Sequence, residues 1–593
     1  MPANRHVARQ TRTQRLPCTV ASITIQRPET KGQKPSGHNL PADGSSQVLD
    51  KPRVVILGSG WAAVSLVKAL NKSASKQYDI TLISPRNYFL YTPLLPAVAS
   101  GTVEERSIVE PIRKIASGKG RYFEAVCESI DPNKRTLVAC FPQDVGLAEA
   151  CFKVPFDLLV LAVGSVTNTF GIEGVEEHCF FFKDISDAHR LRRHVSECFE
   201  RASLPATTPE ERRSLLSFVV VGGGPTGVEV AAELHDMLLE DMRRIYPALM
   251  SDVHICIIDT HDHVLSTYDR AISEYASNEF RRSGIEMVLH ARVSAVHSSA
   301  VDVVHEDGRV TELASSTTIW ATGVAMHPLV KQLQEKLPPG LQTHFRSITT
   351  DEYLRVKGSG GTIFALGDAA TIEQDKAMDH ASELFERADT HHHGKLNLDE
   401  VRAIVRAASK EYTQFKEYLR FLDGHCGAKR FGGMVARSLQ AAHLINQPHR
   451  KPAADDPLWG DLAFDEQTQL TREQFTELLR KIDKGLRALP ATGQVAKQQG
   501  EYLARLMATS QLAPSQPLPP QVKPFHYRHK GQFAYVGRDR AVVDAPLAKA
   551  AGISTGLLWR SFETISQISL RNMMLVSIDW LRTKLFGRDI SRV

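Results

Sequence analysis

At about 150 residues per domain, 593 residues leave room for three or four units. With 42% hydrophobic and 23% charged residues the composition is that of a folded globular protein; a net charge of only +5, with no basic stripe interleaved with aromatics, excludes nucleic acid as a partner. No stretch reaches the roughly 18 apolar residues that span a bilayer, so only peripheral membrane contact is expected and proton pumping is excluded.

Residues 1–50 stand apart by composition. Arg5, Arg9, Arg12 and Arg15 precede the first acid, Glu29, and Ser, Thr and Pro recur as far as Asp50. This is the pattern of an organelle transit peptide; the bland alternative is a plain disordered tail. The run from Arg53 to Leu57 predicts a buried parallel strand, followed by a helix from Ala62 to Leu70 and a second strand from Asp79 to Ile83. Another strand is expected from Val154 to Val163, ending in Gly164. A second βαβ unit opens with the strand Ser217 to Val221, runs through a long helix from about Thr226 to Tyr246, and closes with the strand His254 to Ile258. Strands from Thr318 to Ala321 and from Thr362 to Leu366 end at Gly323 and at Gly367-Asp368. From about Asp375 to Lys484 the sequence turns helical, charged and His-containing, which reads as an insertion. Leu512 to Pro524, rich in Pro and Gln, reads as a linker, and Gly552 to Val593 as helical.

Two glycine-rich turns carry the chemistry. Gly58-Ser59-Gly60-Trp61-Ala62-Ala63 follows a buried strand and opens a helix. Gly58 permits the tight turn, Gly60 lets the backbone approach a pyrophosphate, and Ala63 is the small third residue that lets helix and strand pack closely. The helix N-terminus then favours the phosphate charge. The acid expected at the end of the next strand is replaced by Ser84, a weaker partner for a ribose. Gly222-Gly223-Gly224-Pro225-Thr226-Gly227 repeats the arrangement, with Asp259 closing the following strand. One such turn is a weak signal, as readily a plain glycine-rich loop; two between strand and helix are a strong one.

Two dinucleotide sites in one chain imply a tightly held FAD and an exchangeable nicotinamide, with the nicotinamide unit inserted in the flavin unit. Gly367 and Asp368 would complete the flavin site, the carboxylate meeting the flavin's sugar chain. None of the eight cysteines forms a CxxC or CxxxxC pair, so neither a zinc site nor a dithiol beside the flavin is expected. Electrons must then pass from the flavin directly to an external acceptor.

Here the chain resembles the type II NADH:quinone oxidoreductases, or alternative NADH dehydrogenases, in particular the calcium-loop-bearing forms of plants, algae and fungi. The likeness is carried by VVILGSGWAA, ISPRNYFLYTPLLPAVASGTVEERSIVEPIR, FVVVGGGPTGVEVAAEL, IWATG, FALGDAA, LPATGQVAKQQGEYLA, FHYRHKGQFAYVG and the tail from Trp559 to Val593. It covers nearly everything but residues 1–50 and the helical insertion. The resemblance implies an α/β flavoprotein with two dinucleotide-binding domains. A Rossmann-like FAD domain is expected in three parts, at 51–214, 346–374 and 486–550, the last including the quinone-site segment. An NADH domain would occupy 215–345, an EF-hand-like helical insertion 375–485, and membrane-anchoring helices 551–593.

The resemblance also implies site residues. FAD would lie at Gly58, Gly60 and Asp368, lined by Thr92, Pro93 and Leu94, and NADH at Gly222, Gly224, Gly227 and Asp259. Gly164 and Gly323, each ending a strand, join these cofactor-binding residues. Gln494 and Gln498 match family positions beside the flavin ring and the quinone, and Glu229 matches a glutamate near the flavin's reactive nitrogen. The bland alternative for Glu229 is a satisfied helix carboxylate. Gly493 stands where relatives carry alanine. The implied activity is oxidation of NADH, hydride transfer to FAD and reduction of a membrane quinone, ubiquinone first. The implied setting is a homodimer at the intermembrane-space face of the mitochondrial inner membrane, with chloroplast and peroxisome as alternatives. Two other readings stay open: a soluble reductase of a ferredoxin-like carrier, and a calcium-responsive binding protein that keeps a flavin fold.

Within the insertion, Asp389 to Glu400 fits the twelve-residue EF-hand frame, with Asp first, Gly394 sixth and Glu400 twelfth. His391 and His393 replace the oxygen ligands at positions three and five, so calcium is expected to bind weakly or not at all, and a softer metal such as zinc is the alternative. A second half-hand, from about Asp465 to Phe475, lacks the first acid and the sixth glycine and is expected to bind nothing. In the tail, Leu557, Leu558, Trp559, Phe562, Ile565 and Ile568 fall on one helical face, and Arg560, Arg571, Arg582, Lys584, Arg588 and Arg592 supply charge. This suits a helix lying in a membrane surface, with a core or dimer helix as the bland alternative.

Overall fold

The computed structural model describes residues 51–141, 151–374, 376–409, 412, 415, 469–484, 488–510, 512, 518–546 and 548–589. The transit-like segment 1–50, the start of the second half-hand at Asp465 and part of the Pro- and Gln-rich linker lie outside the described residues. The chain divides into two compact units, one of Met1–Thr371 with Ala491–Val593 and one of Ile372–Pro490.

Two five-stranded parallel sheets organise the larger unit. Their strands, in chain order, are β1 (Arg53–Leu57), β2 (Asp79–Ser84), β3 (Arg121–Glu124), β4 (Leu158–Leu161), β5 (Cys179–Phe181), β6 (Ser217–Val221), β7 (His254–Ile258), β8 (Glu286–Val288), β9 (Thr317–Trp320) and β10 (Ile363–Ala365). The first sheet has the order β10-β4-β1-β2-β3 and the second β5-β9-β6-β7-β8. The apolar runs of β1 and β6 are buried, as strands covered on both faces must be. In each sheet the chain runs outward from a central strand, β1 or β6, and later returns on that strand's other side. The carboxyl ends of β1 and β4, and of β6 and β9, therefore flank a crevice at a switch in strand order, where open α/β sheets bind ligands. The second sheet is inserted between β4 and β10, and the two linking segments, Ser165–Thr167 and Val324–Met326, pair antiparallel.

Two elements differ from the sequence reading. The strand expected from Val154 to Val163 is two strands: Cys151–Pro155 and β4. The break falls where Asp157 receives the Arg53 guanidinium, at 2.9 and 3.0 Å. Cys151–Pro155 completes an antiparallel meander with Val126–Asp131 and Thr136–Cys140, and its register sets Cys140 opposite Cys151, which are joined by a disulfide. No short cysteine spacing signals that pair, because the hairpin brings the two together. The long helix expected from Thr226 to Tyr246 is also interrupted. Helix α1 (Trp61–Ala69) follows β1, and α2 (Pro225–Met237) follows β6, but beyond Met237 the chain widens into a π-turn, Leu238–Met242.

After the insertion, α3 (Gly493–Ser510) crosses α1 closely: a Cβ at Gly500 would lie 2.4 Å from the Ala62 carbonyl oxygen. An antiparallel meander follows, β11 (Gln532–Gly537), β12 (Arg540–Ala545) and β13 (Ala548–Gly552), then helices α4 (Ile553–Ile565) and α5 (Leu570–Phe586). These two helices are inside-out. Their buried residues are largely polar, including Thr555, Glu563, Asn572 and Asp579, while Leu557, Leu558, Phe562, Ile565, Met574, Ile578, Leu581 and Leu585 are exposed. Hydrogen bonds fix the inner face: Asn572 donates to the Ser107 carbonyl at 2.7 Å, and Asp579 receives the Ser107 hydroxyl at 2.6 Å. Trp559 departs from the outward face expected of it. It is 3% exposed and stacks on Tyr535 at 4.8 Å, because β11 covers that side of α4.

The smaller unit has its own core, in which Phe385, Val405, Phe415, Phe475 and Leu479 pack together. Helices Ala381–Ala388 and Leu398–Ala408 flank the EF-hand-like loop. Its strand Lys395–Asn397 pairs antiparallel with Gln469–Thr471 of the second half-hand. The described helices around this strand pair are Ala381–Ala388, Leu398–Ala408 and Arg472–Lys484.

Candidate active site

Each glycine turn sits at the crevice of its own sheet. Gly58 has φ +115°, and a Cβ there would lie 2.3 Å from the Ala162 carbonyl oxygen. Gly222 has φ +113°, and its Cβ would lie 2.9 Å from Thr322. Only glycine allows both the conformation and the approach. Gly227 has no room either, its Cβ falling 1.9 Å from the Gly222 carbonyl oxygen, and Ala63 is fully buried. Gly60 and Gly224 are the opposite: a Cβ at either meets nothing within 4 Å. Both turns thus open on free space at a helix N-terminus, the cradle a pyrophosphate needs, and the residues fit a dinucleotide in each.

The residues ending β2 and β7 are tied to these turns. Ser84 is buried and its hydroxyl donates to Ser59 Oγ at 2.9 Å. Asp259 receives the Gly223 N–H on one carboxylate oxygen and the His261 N–H, at 2.8 Å, on the other. Gly323, with φ +75°, leaves its Cβ direction to the Phe170 ring.

Around the first turn, the Trp61 indole donates to Thr92 Oγ1 at 3.0 Å, beside Pro93 and buried Leu94. A Cβ at Gly493 would lie 2.9 Å from the Trp61 ring, so the indole fills the space a side chain would take there. Gly164 and Gly367 both have positive φ, and the Ser165 hydroxyl donates to Asp368 at 3.2 Å. The Gly367 N–H is held by Gln499 at 2.7 Å. Gln499, 2% exposed, was not singled out in the sequence, although it adjoins Gln498 on the same helix.

Gln494 and Gln498 both bind one backbone segment. Gln494 donates to the Gly531 carbonyl at 3.1 Å and receives Lys530 N–H and Tyr527 O–H, each at 2.9 Å. Gln498 donates to the Arg528 carbonyl at 2.9 Å and receives the Arg528 N–H at 3.0 Å. Glu229 projects from α2 toward β11, where the Tyr535 N–H reaches it at 3.4 Å. Burial, and then the charge of Glu563, push the Glu229 carboxyl well above the ordinary glutamate range.

In the smaller unit, Asp389 receives the backbone N–H groups of His393 and Gly394 at 2.9 and 2.8 Å. Glu400 caps its helix at Asn397 and pairs with His391 at 3.1 Å; His391 stacks on His393. Among the described residues no three His, Cys, Asp or Glu side chains are arranged to hold a metal ion.

The family model for pyridine nucleotide-disulphide oxidoreductase matches residues 52–390, and that for the NDH2 C-terminal domain matches 529–589. The chain is 40% identical to the external alternative NAD(P)H-ubiquinone oxidoreductase B1, mitochondrial, of Solanum tuberosum, over 92% of this chain and 91% of that one. It is 32% identical to the external alternative NADH-ubiquinone oxidoreductase, mitochondrial, of Yarrowia lipolytica, over 93% and 82%. The NDH2 of Plasmodium falciparum in complex with NADH superposes with a TM-score of 0.74 at 26% identity, covering 91% of this chain and 100% of that one. The chain therefore belongs to the pyridine nucleotide-disulphide oxidoreductase family and, within it, to the type II NADH:quinone oxidoreductases.

Proposed function

We propose that this chain oxidises NADH and reduces ubiquinone at a membrane surface, without pumping protons, with FAD at the first glycine turn and NADH at the second. One observation carries the reading: two turns of the same geometry, each opening on a free cradle at the crevice of its own parallel sheet. FAD, when bound, supplies the redox centre that accepts a hydride from NADH and yields two electrons to the quinone. The chain's own groups bind and orient. Gly60 and Gly224 admit the two pyrophosphates, Ser165 and Asp368 are set to meet the flavin's sugar chain, and Asp259 to meet the NADH ribose. Gln494 and Gln498 hold the 528–531 backbone in place and so shape the quinone's approach; we read them as positioning residues.

The inside-out helices α4 and α5 are assigned to the membrane surface. Their exposed leucines and isoleucines, flanked by Arg571 and Lys584, combine the apolar area and positive charge that an interfacial helix needs. Among the described residues no helix is long and apolar enough to cross a membrane. The curated relatives are named mitochondrial and external; this chain is assigned to the intermembrane-space face of the mitochondrial inner membrane. A homodimer would share the outward apolar surface with lipid, and sedimentation of the detergent-solubilised protein gives its mass.

The test is to purify the chain, record the flavin spectrum, and follow NADH oxidation with a ubiquinone analogue, with and without liposomes. A flavin-free protein, or one that transfers no electrons to the quinone, would overturn the reading.

A further inference from the structure

On the buried face of α4, Glu563 is 4% exposed and receives the Tyr91 hydroxyl at 2.8 Å. Tyr91 is itself 2% exposed. Its ring meets that of Trp61 at 5.3 Å, and Trp61 in turn binds Thr92 beside the first glycine turn. The opposite face of α4 carries exposed Leu557, Leu558, Phe562 and Ile565. Glu563 therefore stands between the surface assigned to the membrane and the turn assigned to FAD. Among the described residues no cation pairs with it. Arg560 and Lys584 are bound to Asp539, Arg582 to Glu104, Arg540 to Glu279 and Lys549 to Asp269. The remaining acids packed nearby are also engaged: Asp544 receives the Asp269 N–H, Asp579 the Ser107 hydroxyl, and Glu233 the Ser100 and Thr102 hydroxyls. Glu229 and the phenols of Tyr268 and Tyr535 complete the surroundings.

We propose that Glu563 is the proton reservoir of the quinone step, recharging Tyr91 as that tyrosine gives its phenolic proton toward the reduced quinone. The inference rests on the proposed location of the quinone site. The overall reaction, NADH + H⁺ + quinone giving NAD⁺ + quinol, takes one proton beyond the hydride, and this pair supplies it. When Glu563 is protonated the hydrogen bond of this pair runs the other way, the carboxyl O–H donating to the Tyr91 oxygen and releasing the phenolic proton from Glu563. The O–H bond of Tyr91 then breaks as that proton passes toward the quinone oxygen, the carboxyl proton of Glu563 moves to the phenolic oxygen, and the carboxylate left behind takes a proton from solvent. Burial first, and the charge that Glu563 carries when ionised, hold the Tyr91 phenol far above its ordinary range, so a free phenolate is costly beside either form of the carboxyl. Tyr91 must then give and receive in one concerted step, which needs a proton already on its partner. Burial pushes the Glu563 carboxyl up to about 7 even against the Tyr91 hydrogen bond, so the partner is protonated in much of the population at neutral pH.

The experiment compares wild type with Glu563→Gln, Glu563→Asp and Tyr91→Phe. It measures the ratio of turnover with a water-soluble ubiquinone analogue to turnover with ferricyanide, which takes up no protons, between pH 5.5 and 9. Flavin content and melting temperature show that each variant folds. In wild type the ratio should fall as pH rises through about 7. Glu563→Gln and Tyr91→Phe should lower the ratio roughly tenfold or more, and Glu563→Gln should remove the inflection, which Glu563→Asp should keep. Infrared difference spectra of the purified protein between low and high pH should show a protonated carboxyl band that Glu563→Gln loses. A Glu563→Gln variant with the wild-type ratio and pH profile, or a wild type without the band, would overturn the proposal. Absence of quinone turnover in wild type would instead sink the functional reading, while the infrared band still reports on Glu563. If Glu563→Gln loses its flavin, Tyr91→Phe decides.

Discussion

Asp259 fastens the end of β7 to the second glycine turn by receiving the Gly223 N–H on its carboxylate. That places a carboxylate, 12% exposed and in contact with the His261 ring at 2.6 Å, against Gly223 of the second glycine turn. A carboxylate there can accept hydrogen bonds from ribose hydroxyls, but NADPH would bring a phosphate against it. Repulsion and lost hydrogen bonds together should disfavour NADPH by a few kcal/mol, roughly a hundredfold. Asp259→Asn keeps one oxygen for Gly223 and should narrow the gap in kcat/KM between the two donors. Equal kcat/KM values in the unmodified enzyme would show that Asp259 does not face the ribose.

The glycines of the two turns should separate by role. Gly58→Ala forces a side chain at φ +115° against the Ala162 carbonyl and should destabilise the fold by several kcal/mol, seen as a lowered melting temperature. Gly60→Ala meets open space and should leave the melting temperature of the flavin-free protein nearly unchanged, while flavin content falls. Gly224→Ala should retain flavin and raise the KM for NADH. Full flavin content in Gly60→Ala would mean that the cradle holds something else.

These turns are legible because they combine two local signals, a continuous apolar strand and fixed glycine positions. Other features are not local. Cys140 and Cys151 meet only through the register of a hairpin. The helical face counted in the tail is correct for Leu557, Phe562 and Ile565, but Trp559 turns inward because β11 lies beneath it, a tertiary fact absent from helical periodicity. Glu563 escaped notice for a related reason. On an amphipathic helix a polar residue is expected to face water, and here the polar side is the buried one.

That inversion makes membrane attachment testable without truncation, which would also remove the contacts of Glu563, Asn572 and Asp579. Leu557→Glu combined with Leu581→Glu places charge on the outward face and leaves the inner hydrogen bonds intact. The variant should keep its melting temperature and flavin, and should no longer float with anionic liposomes. Undiminished flotation at high salt would place the anchor elsewhere.

The EF-hand-like loop should give little or no response to micromolar calcium, since imidazoles occupy two ligand positions and Asp389 is turned onto its own loop. Replacing His391 and His393 with Asp should restore measurable affinity by calorimetry. Sub-micromolar binding by the unmodified protein would contradict this.

Glu563 also sets a pH dependence of stability, independent of turnover. Its folded-state value of about 7 lies above the ordinary glutamate value of 4.5, so the folded protein binds the proton more tightly than the unfolded chain. The stabilisation is full below about 4.5 and is lost as pH rises through about 7. The loss is of order 3 kcal/mol for a shift of this size. Glu229 and Glu233, both raised chiefly by burial, act in the same direction. The melting temperature should therefore decline from pH 5 to pH 8. Glu563→Gln keeps an acceptor for the Tyr91 hydroxyl but cannot ionise. It should flatten that decline and melt above wild type at pH 8, where wild type must bury a charge. Thermal scans of both proteins across this range measure the difference. If the two curves run parallel, Glu563 does not change its protonation on unfolding, and its carboxyl is ionised in the native protein throughout.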